Sequence, residues 1–251
     1  MLPAERREQI LRAVRAGTTQ VGQLADAFGV SEMTVRRDLG DLEREGKLTR
    51  VHGGAVGATA ERPFAEIAVE RFEQKDVIGA FAAASIAEGQ TVLLDVGTTT
   101  LQLARHLRGR SLTVITSNLA VYEELLPEES IELVLLGGVV RRNYRSLVGV
   151  VAEDALRQLR ADVAFLGASG IEDDFSVVDT TMVEVPIKRA MMAAAARSVL
   201  LVDSEKFRMR GVVRVCHAQD LDAIVTDTGV AAETRSELER AGVEVLVAGV
   251  A

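Results

Sequence analysis

The chain has 251 residues, of which 48% are hydrophobic and 26% charged, and its formal net charge is −8. This balance is typical of a globular protein, and no run approaches the roughly 18 consecutive apolar residues of a transmembrane helix. The charged N-terminus MLPAERREQI lacks the apolar core of a signal peptide, and one cysteine, Cys216, leaves no intramolecular disulfide. We therefore expect a cytoplasmic protein without a membrane span, in which Cys216 is a small buried side chain. The three histidines are widely spaced, so we expect no metal site and no cofactor.

Charge is distributed unevenly along the chain. Residues 1–56 hold nine Lys and Arg against eight Asp and Glu, whereas the remainder holds 20 against 29. A near-neutral first part attached to an acidic body is compatible with DNA binding through one small module. Charge alone does not indicate that function.

Two short helices are predicted at the start of the chain. Residues 5–16 and 21–28 carry apolar side chains at helical spacing. The side chains expected to face inward are Ile10, Leu11, Val14, Val21, Leu24, Ala25 and Phe28. Gly17 ends the first helix, and Gly29 makes a tight turn after the second.

A third helix follows, and its two faces differ. Val35, Leu39 and Leu42 recur at i, i+4 and i+7 and form a narrow apolar face, and Ser31 is a candidate N-cap. Helix, short glycine turn and helix is the helix-turn-helix pattern, in which the second helix of the pair reads DNA. The side chains expected to read bases and phosphates are Ser31, Met33, Thr34, Arg36 and Arg37.

The segment KLTRVHGGAV alternates in side-chain type and stops at Gly53-Gly54, as a small hairpin or wing would. It adds Arg50 and His52 to the expected DNA contacts. Residues 57–63 lack an apolar period, so they are the predicted linker. We predict a winged helix-turn-helix domain at 1–56, a linker and connecting helix at 57–75, and a second domain at 76–251.

The remainder alternates short apolar strands with helices. A helical segment is expected at 64–87, with Ile67, Phe72, Val77, Ile78 and Phe81 buried. Strands are predicted at 91–95, 112–116, 131–136, 162–167, 198–203, 222–227 and 243–248. Helices fit between them at 99–107, 118–125, 151–159, 183–195 and 231–240. This alternation predicts an α/β fold with a mostly parallel sheet flanked by helices.

Small polar residues follow several of these strands, where doubly wound sheets bind ligands. The candidate ligand-binding residues are Asp95, Gly97, Thr98, Thr99, Thr100, Ser117, Asn118, Gly138 and Lys206. Three threonines at a helix start suit an anion, although they could instead only cap that helix. The loops favour a small phosphorylated ligand, and the absence of a Walker or GxGxxG motif disfavours a nucleotide.

Two sets of residues carry a family resemblance. In the N-terminal part they are Ser31, Thr34, Val35, Arg36, Arg37, Asp38, Leu39, Leu42, Gly46, Leu48, Arg50, His52, Gly53, Gly54 and Ala55. In the body they are Arg71, Lys75, Ile78, Asp95, Gly97, Thr98, Thr99, Ser117, Asn118, Gly137, Gly138, Gly167, Gly170, Ile171, Lys188, Met191 and the run Asp203–Phe207. Together they resemble the DeoR family of bacterial transcriptional regulators over about residues 5–230.

The resemblance implies a repressor of carbohydrate catabolic genes that binds double-stranded operator DNA. It also implies a sensor domain similar to ribose-5-phosphate isomerase, relief of repression by a phosphorylated sugar, and a homo-oligomer, either a dimer or a tetramer. Carried over by position, residues 95–100, Ser117, Asn118 and Lys206 would line the sugar-phosphate pocket. Asp95 would accept hydrogen bonds from sugar hydroxyls, while the threonines and Lys206 would hold the phosphate.

An enzyme is the alternative reading of the sequence. It would be a relative of a sugar-phosphate isomerase or of an acyl-CoA transferase with a fused regulatory domain. An isomerase would need a carboxylate base beside the C1–C2 bond of its substrate, and Glu172, Asp173 and Asp179 are candidates. The isomerase loop that the chain resembles has an acid directly before the glycine, where this chain has Ser169-Gly170. We therefore expect a regulator without catalytic residues.

Overall fold

The computed structural model describes residues 3–15, 21–44, 49–51, 54–56 and 62–249. The chain divides into two compact units, Met1–Arg62 and Pro63–Ala251. Within the described ranges, no helix has the length and apolar character needed to cross a membrane. The predicted helix end at Gly17, the family-resemblance residue Gly46 and the wing residue His52 lie outside these ranges.

The first unit contains three helices and a two-stranded hairpin. The helices are α1 (Pro3–Arg15), α2 (Val21–Phe28) and α3 (Glu32–Arg44), and the antiparallel strands are β1 (Thr49–Val51) and β2 (Gly54–Val56). Gly29, between α2 and α3, has a φ of +63°, which a glycine adopts without the strain that other residues incur. These elements confirm the predicted helix-turn-helix with a wing.

The predicted apolar faces form the core of this unit. Its buried members are Ile10, Val21, Leu24, Ala25, Val35, Leu39 and Leu42. Leu11 and Phe28 are partly buried against them, and the side chain of Val14 is outside the described part of the chain. Ser31 begins α3 as predicted, because its Oγ accepts a hydrogen bond of 3.2 Å from the amide of Thr34.

An ion pair that the sequence does not suggest joins α1 to α3. Arg6 Nε lies 2.6 Å from Asp38 Oδ2, and both side chains are mostly buried. Charge-assisted hydrogen bonds of this kind have a preferred geometry, so the pair restricts how α3 rotates against α1.

The second unit is larger and contains helices, strands and two short 3-10 turns. Its elements in chain order are α4 (Phe64–Val69), α5 (Phe72–Ala84), β3 (Thr91–Leu94), α6 (Thr98–Arg105), β4 (Leu112–Thr116), α7 (Leu119–Leu125), β5 (Ile131–Leu135), β6 (Val139–Arg141), β7 (Ser146–Val148), α8 (Val150–Gln158), β8 (Ala161–Leu166), β9 (Gly170–Ile171), β10 (Ser176–Asp179), α9 (Val185–Ala194), β11 (Ala195–Leu201), β12 (Val213–His217), β13 (Ala223–Asp227), α10 (Ala232–Arg240) and β14 (Glu244–Ala248).

Seven parallel strands form the central sheet in the order β14-β13-β11-β8-β3-β4-β5. They are the seven strands predicted from the sequence, which confirms the α/β fold class. From β3 the chain moves outward through β4 and β5, then returns to the other side of β3 at β8. The order therefore reverses between β3 and β8, and such a reversal opens a crevice at the carboxyl ends of the strands.

Helices cover both faces of this sheet. In β3, Val92 and Leu94 point into a core shared with α5, α6 and α7, whereas Leu93 points into a second core shared with α8, α9 and α10. Successive side chains of a strand face opposite sides, so a strand buried on both faces is apolar throughout. This explains why the strands could be found as continuous apolar runs.

The helical segment expected at 64–87 is interrupted. It forms α4 and α5, separated by Glu70 and by Arg71, whose backbone is left-handed at a φ of +48°. The guanidinium of Arg71 forms ion pairs with Asp203 at 3.0 Å and Glu205 at 2.8 Å. The predicted burial of three side chains is also wrong: Phe72, Val77 and Phe81 are 44%, 41% and 37% exposed, because α5 turns only Lys75, Ile78, Gly79, Ala82 and Ala83 inward.

Three small features were not predicted. β6 and β7 form an antiparallel hairpin, and β9, β10 and β12 form a second, three-stranded antiparallel sheet. Cys216 lies in β12 and is half-buried rather than fully buried. These short strands lack the long apolar runs of the central sheet, which is why the sequence pattern does not show them.

Gly79 allows α5 and α6 to cross at close range. A Cβ at this position would lie 2.6 Å from the amide nitrogen of Leu103 and 2.8 Å from the carbonyl carbon of Gln102. Both neighbours are backbone atoms, so neither can move away without shifting a whole helix.

We predict that Gly79→Ala lowers the free energy of unfolding by about 2–3 kcal/mol, because overpacking forces the backbone apart. The control is Gly22→Ala in α2, where the new Cβ would meet only Glu32 Oε1 at 3.7 Å. It should be neutral or stabilise by roughly 0.5–1 kcal/mol. Urea unfolding followed by circular dichroism measures both, and equal effects would contradict the helix crossing.

Candidate functional site

A cleft opens at the carboxyl ends of β3 and β8, where the strand order reverses. Its cavity volume is about 50 Å³. Its polar side chains are Lys75, Thr98, Thr99, Tyr144, Ser169, Asp179, Glu184, Lys188, Asp203 and Lys206. Three lysines and three carboxylates therefore line the same cleft.

The loop after β3 presents the start of α6 to the cleft. Gly97, Thr98 and Thr99 line the cleft, and the first amides of α6 carry the partial positive charge of a helix N-terminus. Thr100 does not take part. Its Oγ1 donates to the carbonyl oxygens of Asp95 at 2.8 Å and Gly97 at 2.9 Å, so it holds the loop in shape from beneath.

A buried ion pair forms the floor of the cleft. The ammonium of Lys188 in α9 donates to Asp95 Oδ2 and to the carbonyl oxygen of Gly167 at 3.0 Å, and it lies 3.5 Å from Asp179 Oδ2. The amide of Gly167 donates to Asp95 Oδ2 at 2.9 Å. One lysine therefore joins the ends of three strands, β3, β8 and β10.

The charges of this pair depend on each other. Burial opposes the charge on Lys188, but the carboxylates of Asp95 and Asp179 outweigh it and raise its pKa. Burial raises the pKa of Asp95, and Lys188 acts in the opposite direction. The charge on each of these two groups therefore favours the charge on the other.

Lys75 in α5 is a second buried lysine, with a weaker set of partners. Its side chain is buried, and its ammonium donates one hydrogen bond of 2.6 Å, to the carbonyl oxygen of Ile67 in α4. Burial lowers its pKa to about 8, which the nearby Asp203 opposes and Lys206 reinforces. An anion in the cleft would therefore supply the negative charge that the hydrogen-bond partner of Lys75, a neutral carbonyl, does not.

Glu184 lies just before α9 and faces the same cleft. It is fully buried, and its Oε1 accepts hydrogen bonds from Arg141 and, at 2.7 Å, from Ser146 Oγ. Burial raises the pKa of Glu184, with Lys188 opposing. Through these two bonds the cleft is tied to the β6–β7 hairpin.

Five of the nine candidate ligand-binding residues are not in the cleft lining: Asp95 and Thr100, described above, and Ser117, Asn118 and Gly138. Asn118 accepts hydrogen bonds from the amides of Ala120 and Val121 and caps α7. The carbonyl oxygen of Ser117 accepts from the amide of Leu147 in β7. Gly138 begins the hairpin at a φ of +148°, where a Cβ would collide with the backbone of Val148. The structure therefore brings together Gly97, Thr98, Thr99 and Lys206 at the cleft, with Asp95 beneath them.

Sequence reasoning did not select Lys75, Tyr144, Ser169, Asp179, Glu184, Lys188 and Asp203 as ligand-binding residues. Lys75 and Lys188 lie within helices, where a charged residue ordinarily faces solvent. The available signal was that Lys75 directly precedes the stretch DVIGAF and that Lys188 lies within the stretch VPIKRAMM. Asp179 was considered only as a catalytic base, and it is already bonded to Lys188 and Ser169.

The candidate DNA-reading surface lies on α3. Met33 is 79% exposed, Arg36 and Arg37 are exposed, and Thr34 is partly exposed next to Ser31. Arg36 pairs with Glu32 at 3.0 Å in an exposed i,i+4 contact. Exposed ion pairs are weak, so this one would compete little with a DNA phosphate for the guanidinium of Arg36. The backbone of Arg50 lies in β1, but its side chain and the whole of His52 are outside the described residues.

Comparisons with known proteins match both units. A model of the DeoR-like helix-turn-helix domain matches residues 6–61, and a model of the DeoR C-terminal sensor domain matches residues 70–228. The HTH-type transcriptional regulator GlpR of Haloferax volcanii is 37% identical over 98% of this chain and 98% of its own length. The glycerol-3-phosphate regulon repressor of Escherichia coli is 32% identical, with 90% and 92% covered. Ribose-5-phosphate isomerase A from Methanocaldococcus jannaschii aligns with 55% of each chain at a TM-score of 0.41 and 18% identity.

We predict that Lys188→Met destabilises the protein by roughly 3–5 kcal/mol, since it leaves two buried carboxylates without their cation. Asp95 should then take up a proton. Because a folded state with a raised Asp95 pKa binds that proton more tightly than the unfolded chain, the unfolding free energy of the variant should increase as the pH is lowered from about 8 to about 5.

Lys206→Met is the control for this variant. The contact recorded for its ammonium is Met209 Sδ at 3.7 Å, so its removal should change stability by less than about 1 kcal/mol. Chemical unfolding at several pH values measures both variants. A Lys188→Met protein as stable as the control, or one with no pH dependence, would contradict the role assigned to the pair.

Proposed function

The chain belongs to the DeoR family of transcriptional regulators, and we propose that it represses carbohydrate catabolic genes until a phosphorylated sugar occupies the cleft. It is a DNA-binding regulator rather than an enzyme, because its relatives over nearly the full length are named as regulators and repressors. In our proposal, residues 1–56 bind operator DNA, 57–75 connect, and 76–251 bind the ligand. Lys75 is the last residue of the connecting segment and also lines the cleft, so it belongs to the proposed ligand site as well.

The arrangement of cations around the cleft supports a phosphorylated ligand. Thr98, Thr99 and the α6 amides offer donors, and Lys75 and Lys206 offer two ammonium groups that are not paired with a carboxylate in the described structure. A phosphate dianion matches this set, since it accepts several hydrogen bonds and carries two negative charges. The observation that carries the proposal is Lys75, a buried cation whose hydrogen bond goes to a neutral carbonyl.

The enzyme alternative lacks a base. Glu172 and Asp173 are not among the residues that line the cleft, and Asp179 is ion-paired with Lys188. Among the described residues, the other carboxylates at the cleft are also bonded to cations, Glu184 to Arg141 and Asp203 to Arg71. A paired carboxylate is a weak acceptor for a substrate proton.

We further propose that the protein acts in the cytoplasm as a homo-oligomer, a dimer or a tetramer. A helix-turn-helix protein commonly reads two half-sites with two recognition helices, so a symmetric oligomer fits this function. The ligand must then bind one quaternary arrangement better than the arrangement that holds DNA.

The DNA proposal predicts that Arg37→Ala lowers operator affinity at least tenfold without changing the melting temperature, because Arg37 is exposed on α3 and makes no recorded contact. The control is Arg235→Ala, which removes an exposed arginine of α10 that pairs with Glu239. Fluorescence anisotropy with a DNA fragment selected from a random library by the wild-type protein measures both. Unchanged affinity for Arg37→Ala would place the reading surface elsewhere.

The ligand proposal predicts that phosphorylated sugars raise the melting temperature and that their affinity falls above pH 8. Lys75 is charged below its pKa of about 8, and a bound dianion would raise that pKa, so binding above pH 8 must take up a proton. The dissociation constant should rise about tenfold between pH 7 and pH 9. In Lys75→Met this dependence should vanish, and isothermal titration calorimetry with the phosphate ester found by thermal shift measures it. A flat wild-type profile would contradict the role of Lys75.

A further inference from the structure

The β6–β7 hairpin is attached to the loop that follows β4. The amide of Leu147 donates to the carbonyl oxygen of Ser117 at 2.9 Å, and the amide of Leu119 donates to that of Arg145 at 2.8 Å. A further bridge joins Asn118 to Ser146. Ser117 and Asn118, which the sequence suggested as ligand contacts, thus hold the hairpin in place.

The same hairpin contacts the cleft from its other side. Arg141 of β6 and Ser146 of β7 both donate to Glu184, which lines the cleft. Tyr144, in the turn between the strands, lines the cleft itself. A ligand that reaches Tyr144 or Glu184 therefore acts directly on the hairpin.

The turn of the hairpin also holds the start of α4. The amide of Phe64 donates to the carbonyl oxygen of Asn143 at 3.0 Å, and the rings of Phe64 and Tyr144 meet edge to face, with centroids 5.9 Å apart. Phe64 is the first residue of α4 and is almost fully buried. The first unit of the chain ends two residues earlier, at Arg62.

α4 depends on such contacts for its existence. It has six residues, and a helix of that length is not stable alone in water. Its first residue is held by the hairpin, and the carbonyl of Ile67 in its last turn is held by Lys75, so both ends rest on residues of the cleft. Pro63, whose φ is fixed by its ring, directly precedes α4.

From these contacts we infer that the β6–β7 hairpin transmits occupancy of the cleft to α4, with Tyr144 as the side chain that touches both. The inference rests on the proposed ligand site and adds the path by which occupancy of that site changes α4. A ligand against Tyr144 changes the contact with Phe64, and the start of α4 shifts or frays. Tyr144 and Arg141 are positioning residues in this relay.

Hydrogen–deuterium exchange of the full chain tests the relay, with inorganic phosphate, glycerol 3-phosphate and ribose 5-phosphate as probes. In the wild type, a probe that protects the loop 95–100 should also change exchange at 64–69 at least threefold. In Tyr144→Ala, compared at probe concentrations that protect the loop to the same extent as in the wild type, the change at 64–69 should fall to less than half. Val140→Ala, an exposed position in the same hairpin, should behave as the wild type.

The outcomes separate the relay from the ligand site. Protection of the loop without a change at 64–69 in the wild type overturns the relay and leaves the ligand site standing. A full response at 64–69 in Tyr144→Ala also overturns it. If no phosphate compound protects the loop, the proposed ligand fails and the relay fails with it. Arg141→Met, which breaks the bond to Glu184 and keeps the ring, gives a second reading should Tyr144→Ala not fold, and it too should reduce the response.

Discussion

The ion pair between Lys188 and Asp95 is the constraint on which the site depends. It lies where the strand order reverses, the place at which a sheet of this topology is most open. Without the ammonium of Lys188, the carbonyl and carboxylate groups at the ends of β3, β8 and β10 would lack this buried partner. Lys188 reaches across from α9 and satisfies all three ends at once. The threonine loop that begins two residues after Asp95 is therefore presented from a rigid base.

Two buried lysines with opposite pKa shifts divide the work of this region. Lys188 has a raised pKa because carboxylates surround it, so its charge serves to stabilise the fold. Lys75 has a lowered pKa because burial outweighs its weak partners, so its charge is held at a cost to stability. A group that is costly in the free protein and stabilised by an anion is suited to a sensor, because binding relieves the cost. The exposed lysines of a surface patch could not store energy in this way.

The sequence predicts the sheet well and the site only in part, and the reason is the range of the contacts. Each central strand is an apolar run, so Val92 to Leu94 and their equivalents could be found locally, and the loops after them followed from topology. The left-handed backbone at Arg71 has no glycine or proline that would predict it, and the guanidinium of Arg71 pairs with Asp203 and Glu205, which are distant in sequence. Ser117 and Asn118 follow a strand as Thr98 and Thr99 do. They are covered by a hairpin of three-residue strands that no local pattern shows.

The conformation of Arg71 also bears on the order in which the chain assembles. The partners of its guanidinium are separated from it by 134 residues at Glu205 and 156 residues at Asp227. Contacts of such sequence separation form late, because the loop they close costs entropy before it returns energy. During synthesis the helices of the first unit are complete long before residue 227 leaves the ribosome, whereas the α4–α5 joint must wait for it. The helices of the first unit are therefore finished first, and the α4–α5 joint is among the last features of the second unit to form.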